Sequence, residues 1–242
     1  MKTATILVAG IMTLGLAAAA NAQGLQSQGW YIGLGLAPAW FDTEYRFSDG
    51  SKISPSHDTS FNINGALGYK FDGWRFEAEP FWADTSSDTV RVVGPLAVNP
   101  LIVNPAPPAS TVVHIKGDGS TGGFLFNAAY DFPIDRQFRF TAGGGIGFAN
   151  VSPKLSTRNG TDIIDHSETA FAWQLIAGFV YALNPNFEFQ IDYRYTGITD
   201  TGHHSNLLMV NPLSSSAPLG VSEESTNLQA LMFSVRWYPE PY

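Results

Sequence analysis

Two adjacent runs of the sequence, residues 171–182 and 187–196, alternate in character at every second position and meet at Asn184-Pro185-Asn186. In the second run, one set of alternate residues is entirely apolar or aromatic and the other is entirely polar. A period of two places alternate side chains on opposite faces of a strand, so the two runs predict a β-hairpin. The first run has large residues on one face and mostly small residues on the other. A soluble sandwich buries its large residues, whereas a membrane barrel turns them toward lipid and fills its interior with small and polar side chains.

The same alternation recurs in six further segments, which with the hairpin give eight predicted strands: residues 29–41, 60–71, 74–84, 121–132, 138–151, 171–182, 187–196 and 227–237. Each has about the 9 to 11 residues that a tilted transmembrane β-strand needs. Short connections at 72–73, 133–137 and 184–186 alternate with long ones at 48–59, 85–120, 152–168 and 197–226. This pattern predicts an all-β, eight-stranded antiparallel up-and-down transmembrane barrel, with short periplasmic turns, long extracellular loops and both termini in the periplasm.

Two prolines and one dipeptide mark irregular points in these strands. Pro38 breaks the alternation near the end of the first strand, and Pro80 removes one ladder donor from the third. Asp72-Gly73 predicts a tight two-residue turn.

The tryptophans provide an independent test of the membrane interpretation. Trp30 and Trp40 are ten residues apart, which is roughly 25 Å vertically at a tilt near 40°, the height of an outer-membrane apolar band. All six tryptophans fall into two predicted aromatic girdles, with Trp30, Trp74 and Trp237 at the periplasmic edge and Trp40, Trp82 and Trp173 at the outer edge. The alternative is a soluble lipocalin-like barrel with six core tryptophans, but that fold would need polar residues at the outward positions.

The N-terminus has the order of a secretory signal peptide. Lys2 precedes an apolar run over residues 4–20 and the small-residue site Ala20-Asn21-Ala22. A transmembrane anchor is the alternative, but the run is shorter than the roughly 20 apolar residues of a spanning helix and no stop-transfer charges follow it. We therefore predict a signal peptide over residues 1–22 and a single barrel domain over 23–242.

Charge and cysteine content exclude several classes of function. The formal net charge is −8, which argues against a general nucleic-acid surface. The absence of cysteine rules out a disulfide framework and thiol chemistry.

The inward-facing charged residues of the predicted barrel form a lumenal charge network: Lys70, Arg75, Glu77, Glu79, Arg139, Glu188, Asp192, Arg194 and Arg236. Paired carboxylates in an open cleft would suggest acid–base catalysis. The interior of an eight-stranded barrel is only wide enough for side chains, so long charged residues must pair there and close it. Gly33, Gly35, Gly143, Gly145 and Gly147 would leave space for them.

The positions of these charges along the strands predict two layers. The four cations other than Arg194 stand nearest the periplasmic girdle, and Glu77, Glu79 and Asp192 stand further in. This predicts a basic layer opposed to an acidic one.

Six segments carry a resemblance to a known family: GWYIGLGL from Gly29, GWRFEAE from Gly73, NAAYDFP from Asn127, GGGIGFANV from Gly143, FAWQLIAGFVYAL from Phe171 and FEFQIDYRYT from Phe187. In these segments the chain resembles the OmpA-like, opacity-type outer-membrane β-barrel proteins of Gram-negative bacteria. The resemblance implies location in the outer membrane, contact with its lipid and lipopolysaccharide, and insertion with the help of periplasmic chaperones and the barrel-assembly machinery.

The C-terminus departs from that family, which usually ends in an aromatic residue on a strand that the assembly machinery reads. Here Trp237-Tyr238 is followed by Pro239, Glu240, Pro241 and Tyr242. Because Pro239 and Pro241 cannot donate ladder hydrogen bonds, the segment 235–238 is the alternative insertion signal.

Two loop motifs are candidate functional sites. His203, His204, Ser205 and Asn206 are similar to the H-x-S-N signature of outer-membrane lipid A deacylases, but that motif follows an arginine within the penultimate strand, and here the histidines lie in a loop beyond Arg194. The residues lack the carboxylates or cysteines that would complete a metal site. Val98-Asn99-Pro100-Leu101 recurs as Val210-Asn211-Pro212-Leu213 in a second long loop, and exposed apolar surface of this kind is often covered by a partner or by self-packing.

The sequence therefore predicts a barrel with a structural or surface-interaction role, with no catalytic residue, metal site or cofactor, and with extracellular loops that contact an unidentified ligand. A narrow porin-type channel for small solutes is the alternative, and a lipid A deacylase-like enzyme is the remote one.

Overall fold

A computed structural model gives the fold of the chain. It describes residues 28–47, 52–57, 60–84, 87–93, 110–113, 116–156, 162–165, 167–199 and 221–239. Across these residues there are twelve strands: β1 (Gly29–Phe47), β2 (Lys52–His57), β3 (Ser60–Phe71), β4 (Trp74–Asp84), β5 (Ser87–Val93), β6 (Ser110–Val113), β7 (Lys116–Pro133), β8 (Phe138–Ser156), β9 (Asp162–Asp165), β10 (Glu168–Asn184), β11 (Phe187–Ile198) and β12 (Val221–Trp237). No helix in the described part of the chain has the length and apolarity needed to cross a membrane.

Eight of these strands close into a barrel in the order β1-β3-β4-β7-β8-β10-β11-β12. Every neighbouring pair is antiparallel, and Leu34 of β1, for example, lies opposite Gly65 of β3 and Val235 of β12. Closure leaves no sheet edge, so the backbone groups of the barrel find partners within the wall. The predicted eight-stranded antiparallel barrel is confirmed.

The two ends of the barrel differ. The three short turns lie at one end, hereafter the turn end, where Gly29 pairs with Lys70 and Trp237 with Phe187. The long connections lie at the opposite, loop end. Both β1 and β12 therefore have their outer termini at the turn end.

The connections predicted as long loops contain further strands. The short strands β2, β5, β6 and β9 lie within them, and the barrel strands themselves run past the predicted bounds. β1 and β8 have 19 residues each, well beyond the roughly 9 to 11 that a membrane crossing requires. The apolar alternation fades in these extensions because a strand outside the membrane needs no continuous apolar face, although its backbone ladder continues.

The wall is apolar outside and polar inside, the reverse of a soluble barrel. On β11, Phe189 and Ile191 are 44% and 50% exposed, whereas Glu188 and Asp192 are 0% and 1% exposed. The same alternation runs through β3, β4 and β10. Such an outward band is stable only where lipid covers it.

The three short turns have specific local chemistry. Asp72 and Gly73 both have positive φ, at 47° and 81°, as a type I′ hairpin turn requires. In the turn before β8, the Asp135 carboxylate accepts hydrogen bonds from the N–H groups of Gln137 and Phe138, both at 2.7 Å. These donors lower the pKa of Asp135. In the third turn, Asn184 Oδ1 likewise accepts hydrogen bonds from the backbone N–H groups of Asn186 and Phe187, at 2.9 and 3.0 Å.

Both prolines interrupt the ladder. The register between β1 and β12 passes from the pair Leu36–Phe233 to the pair Ala39–Ala230, so Pro38 falls in a gap. Pro80 falls in a similar gap between β3 and β4. A proline has no N–H to donate, and in each case only one of the two flanking ladders is broken.

The interior changes character along the barrel axis. Charged side chains fill the turn-end half, and the loop-end half holds an apolar inner cluster: Ala37, Ala39, Phe41, Phe81, Ala83, Leu125, Ala149, Ala170, Ala172, Ile198, Leu228, Ala230 and Met232. The cluster is rich in alanine because an eight-stranded barrel leaves room for only a few large inward side chains at each level.

Candidate functional site

Ten charged side chains are buried in the barrel among the residues whose burial is described: Lys70, Arg75, Glu77, Glu79, Asp131, Arg139, Glu188, Asp192, Arg194 and Arg236. Five are cations and five are anions, so their formal charges cancel. All nine residues of the predicted network lie inside the barrel and are part of this set. The tenth, Asp131, is an inward residue of β7 that the prediction left out. The charge count could have pointed to it, since the nine contain five cations and only four anions.

The Glu188 carboxylate is the centre of contacts at the turn end. Lys70 Nζ donates to it at 3.1 Å, and Arg236 Nη1 and the Tyr238 hydroxyl each donate at 3.0 Å. Arg139 Nη2 is a fourth donor. A carboxylate has about four lone-pair sites, so Glu188 is saturated with donors from β3, from β8 and from the end of β12.

Asp131 completes the ion pairing at the same level. Its Oδ2 lies 2.7 Å from Lys70 Nζ and 3.9 Å from Arg139 Nε, and its Oδ1 lies 3.3 Å from Arg75 Nε. The two anions Asp131 and Glu188 are therefore shared by Lys70 and Arg139.

Arg75 connects the turn-end contacts to the middle of the barrel. Its Nη1 donates to Gln190 Oε1 at 3.0 Å and to Glu77 Oε1 at 3.2 Å, and its Nη2 donates to Thr141 Oγ1 at 2.9 Å. Gln190 in turn donates from Nε2 to Asp192. The amide of Gln190 therefore joins the two halves of the network.

Arg194 organises the half of the network nearer the loop end. Its Nη1 donates to both oxygens of Glu79, at 2.5 and 2.6 Å, and its Nε donates to Asp192 Oδ2 at 2.5 Å. Asn127 Nδ2 adds a fourth contact, to Glu79 Oε2 at 3.0 Å. Charge-assisted bonds of this kind are among the strongest in proteins.

The predicted separation of basic and acidic layers is wrong. Glu188 and Asp131 lie among the cations at the turn end, and Arg194 lies between Glu79 and Asp192 further in. Charges pair within each level because a buried ion is much less costly when its counter-ion is in direct contact.

Two tyrosines cover the network at the turn end, and the sequence prediction missed both. The rings of Tyr31 and Tyr238 are 5.0 Å apart, and both side chains are fully buried. The Tyr31 hydroxyl donates to Glu77 at 2.6 Å, and its ring lies 5.7 Å from the Arg236 guanidinium carbon. Tyr238 follows the last predicted strand, so the alternation of residues predicts no inward orientation for its side chain.

The inward glycines provide room for polar side chains. A Cβ added to Gly145 would lie 1.9 Å from Asn127 Oδ1, and one added to Gly35 would lie 2.1 Å from Asn64 Oδ1. At Gly68, an added Cβ would lie 2.3 Å from the Tyr31 ring. These three glycines therefore leave room for the side chains of Asn127, Asn64 and Tyr31, which lie beside the charged residues, and less for the charged side chains themselves.

The tryptophans of the predicted girdles lie on the outward face of the barrel. Five of them, Trp30, Trp40, Trp74, Trp82 and Trp237, are 44% to 62% exposed. Trp173 packs against the Tyr195 ring at 5.5 Å and covers Gly197, where an added Cβ would lie 2.5 Å from the indole.

Several predicted features lie outside the described residues. These are residues 1–22, the segment His203–Asn206, both Val-Asn-Pro-Leu repeats, and Pro241. Within the described part of the chain, no three histidine, cysteine or acidic residues are grouped in a way that could hold a metal ion.

The closed barrel, the apolar outer band and the polar interior agree with one family of proteins. A family model of the outer membrane protein beta-barrel domain matches residues 6–214. The chain belongs to this family. Its location is therefore the outer membrane, and the outward apolar band faces lipid. Comparison with curated proteins gave no match.

Solved structures of other outer-membrane barrels are similar at low identity. Neisserial surface protein A is 15% identical, with a TM-score of 0.46 over 88% of this chain and 98% of that one. OprG from Pseudomonas aeruginosa is 14% identical, with a TM-score of 0.47 over 90% and 100%. Ail, the attachment invasion locus protein of Yersinia pestis, solved with a heparin analogue, is 14% identical, with a TM-score of 0.42 over 86% and 99%.

The Glu79–Arg194 pair gives a direct test of how much the network stabilises this barrel. Arg194→Met leaves two buried carboxylates without their cation, and we expect it to lower the free energy of unfolding by about 3 to 5 kcal/mol. Adding Glu79→Gln to Arg194→Met should recover part of that loss. Urea unfolding in lipid vesicles measures both effects, and Arg136→Ala at an exposed turn is the control, with an expected change within about 0.5 kcal/mol. If Arg194→Met lowered the free energy of unfolding no more than the control, the Glu79–Arg194 pair would not be a stabilising contact of the barrel.

Proposed function

We propose that the protein is a closed outer-membrane barrel that anchors its long connections at the cell surface, without a catalytic role and without an open pore. The observation that carries this proposal is that the network joins opposite walls. In the ring of eight strands, β4 and β11 are four positions apart and therefore face each other across the lumen. Glu79 with Arg194, and Arg75 with Gln190, connect these two strands directly.

The charge balance of the interior supports the closed state. A conducting pore usually has rings of charge or polar groups that line a continuous water path. Here each buried cation contacts a buried anion, for example at 2.5 Å in the pair Arg194–Glu79 and at 3.2 Å in the pair Arg75–Glu77. Pairs held away from water attract more strongly than surface pairs. The side chains themselves therefore occupy the space that water would need.

The length of the barrel strands supports a role for the loop end at the surface. β1 continues from Trp40 to Phe47 and pairs with β12 over most of that distance. β2 pairs with both β1 and β5, and β6 extends the sheet beyond β5. A paired extension of this kind holds the connections above the membrane and presents them to a partner in the environment or on a host.

Conductance in planar bilayers tests the closed lumen. We expect no steady current from the unmodified protein, because the wall-to-wall contacts leave no water path. Glu188→Ala removes the acceptor shared by four donors and should produce intermittent conductance. The matched control is Glu168→Ala, a change outside the buried network at the start of β10. Steady currents of porin size from the unmodified protein, unchanged by Glu79→Gln or Arg194→Met, would favour the narrow channel instead.

Protease treatment of intact cells tests the proposed orientation, in which the loop end is extracellular. We expect cleavage within residues 94–109 or 200–220, in the connections after β5 and β11. The Asp72-Gly73 turn should be cut only after the outer membrane is permeabilised. Cleavage at that turn in intact cells, with the long connections protected, would reverse the orientation.

A further inference from the structure

The gap at Pro38 is the starting point for a second site, on the outside of the wall. The pairs Leu36–Phe233 and Ala39–Ala230 belong to the same register, so the strands do not slip at the gap. The ladder is simply missing between them, where Pro38 has no N–H to donate. β1 and β12 are therefore held together less tightly here than above and below.

An open groove of about 430 Å³ lies at this gap, lined by Leu36, Ala37, Pro38, Ser60, Phe61 and Phe233. Leu36, Phe61 and Phe233 are outward residues, 44% to 49% exposed. Ala37 and Ser60 are inward, buried residues, and Ala37 also belongs to the apolar inner cluster. The groove thus includes residues from both faces of the wall, and none of its lining residues is charged.

The second proline gap has different neighbours from the first. At Pro80 the residue on the facing strand is Gly65, and a Cβ added there would lie 3.7 Å from Pro80 Cγ. The proline ring lies against the glycine and occupies the space beside the break. At Pro38 the facing residue in the same register is Leu231, which is an outward side chain.

The position of the groove identifies what surrounds it. Pro38 stands two residues before Trp40, or about 7 Å along the strand, so the groove lies within the apolar band near the loop-end girdle. The medium there is the hydrocarbon of the leaflet at the loop end. Association within a membrane depends on close packing, since lipid and protein surfaces are equally apolar. A linear chain that fills the groove gains contacts that loosely ordered lipid would lose.

We propose that the groove at Pro38 is a binding site for one acyl chain of a membrane lipid from the leaflet at the loop end. The bound chain occupies a fixed position against Leu36, Phe61 and Phe233, and it exchanges more slowly than the lipid around the rest of the barrel. This site is independent of the lumenal network and of whether the lumen conducts.

Photolabelling tests the proposal with the full-length protein in vesicles. The probe is a phosphatidylethanolamine that carries a diazirine near the carbonyl end of one acyl chain, and labelled residues are mapped by mass spectrometry. Phe61 and Phe233 are each 49% exposed, and Phe148, on the far side of the barrel, is 52% exposed. Contact with ordinary surrounding lipid would therefore label all three alike, whereas a bound chain should label Phe61 and Phe233 several-fold more than Phe148.

Two matched substitutions distinguish the effect of the groove on labelling from the effect of a missing ladder hydrogen bond. Pro38→Val restores a ladder donor at the groove and should reduce labelling of Phe61 and Phe233 to the level of Phe148. Pro80→Val restores a donor at the other break and should leave the labelling unchanged. Insertion of each variant is checked by heat-dependent migration in gels. If Pro38→Val does not insert, Phe61→Ser removes one side of the groove without changing the ladder, and labelling of Phe233 should fall.

Three results would overturn the proposal. The first is equal labelling of Phe61, Phe233 and Phe148 in the unmodified protein, which would indicate surrounding lipid only. The second is strong labelling that persists in the inserted Pro38→Val protein. The third is an equal loss of labelling in Pro38→Val and Pro80→Val.

Discussion

The ion pair between Glu79 and Arg194 joins opposite walls of the barrel, and its need for a counter-ion in direct contact recurs throughout the lumen. Arg194 Nη1 contacts both carboxylate oxygens of Glu79, at 2.5 and 2.6 Å, and so holds β4 against β11. Neither ion can reach bulk water from the barrel interior, so each depends on its partner for the solvation that water would otherwise provide. Asp192 and Asn127 supply further partners of this pair. The same requirement is met at the turn end, where the donors of three cations surround Glu188.

The balance of charge inside the barrel and the apolar band outside it are two results of one constraint. A closed ladder satisfies the backbone in lipid, and its alternating side chains must then face either hydrocarbon or a narrow lumen. Large apolar residues suit the first environment. In the second, small residues alone would leave voids, and long polar residues fill the space only if they pair. The apolar inner cluster shows a different solution in the loop-end half, where Phe41, Phe81 and Met232 fill the interior between alanines.

The period-two pattern predicted the eight strands, the closed barrel and the inward position of nine of the ten buried charges, because alternation is a strong signal whenever the two faces meet different media. It could not predict which charges pair, since stagger between strands sets their heights and placed Asp131 and Glu188 among the cations. Tyr238 was missed because it lies beyond the last strand. The short strands β2, β5, β6 and β9 were missed because backbone pairing outside the membrane does not require an apolar face. The groove at Pro38 depends on one missing backbone N–H donor and on the sizes of the side chains around the proline. The alternation of apolar and polar residues indicates neither of these.

The proposed closed lumen requires the lumenal arginines to be fixed in ion pairs and sealed from water. Solvent exchange of arginine side-chain N–H protons, measured by NMR on the ¹⁵N-arginine-labelled protein in lipid nanodiscs, tests it most directly. Arg75, Arg139, Arg194 and Arg236 are each 5% exposed or less, whereas Arg136 at the turn before β8 is exposed. We expect separate, slowly exchanging guanidinium signals for the four buried arginines and fast exchange for Arg136. Exchange of Arg194 and Arg75 as fast as that of Arg136 would show that water reaches the network and would contradict a sealed interior.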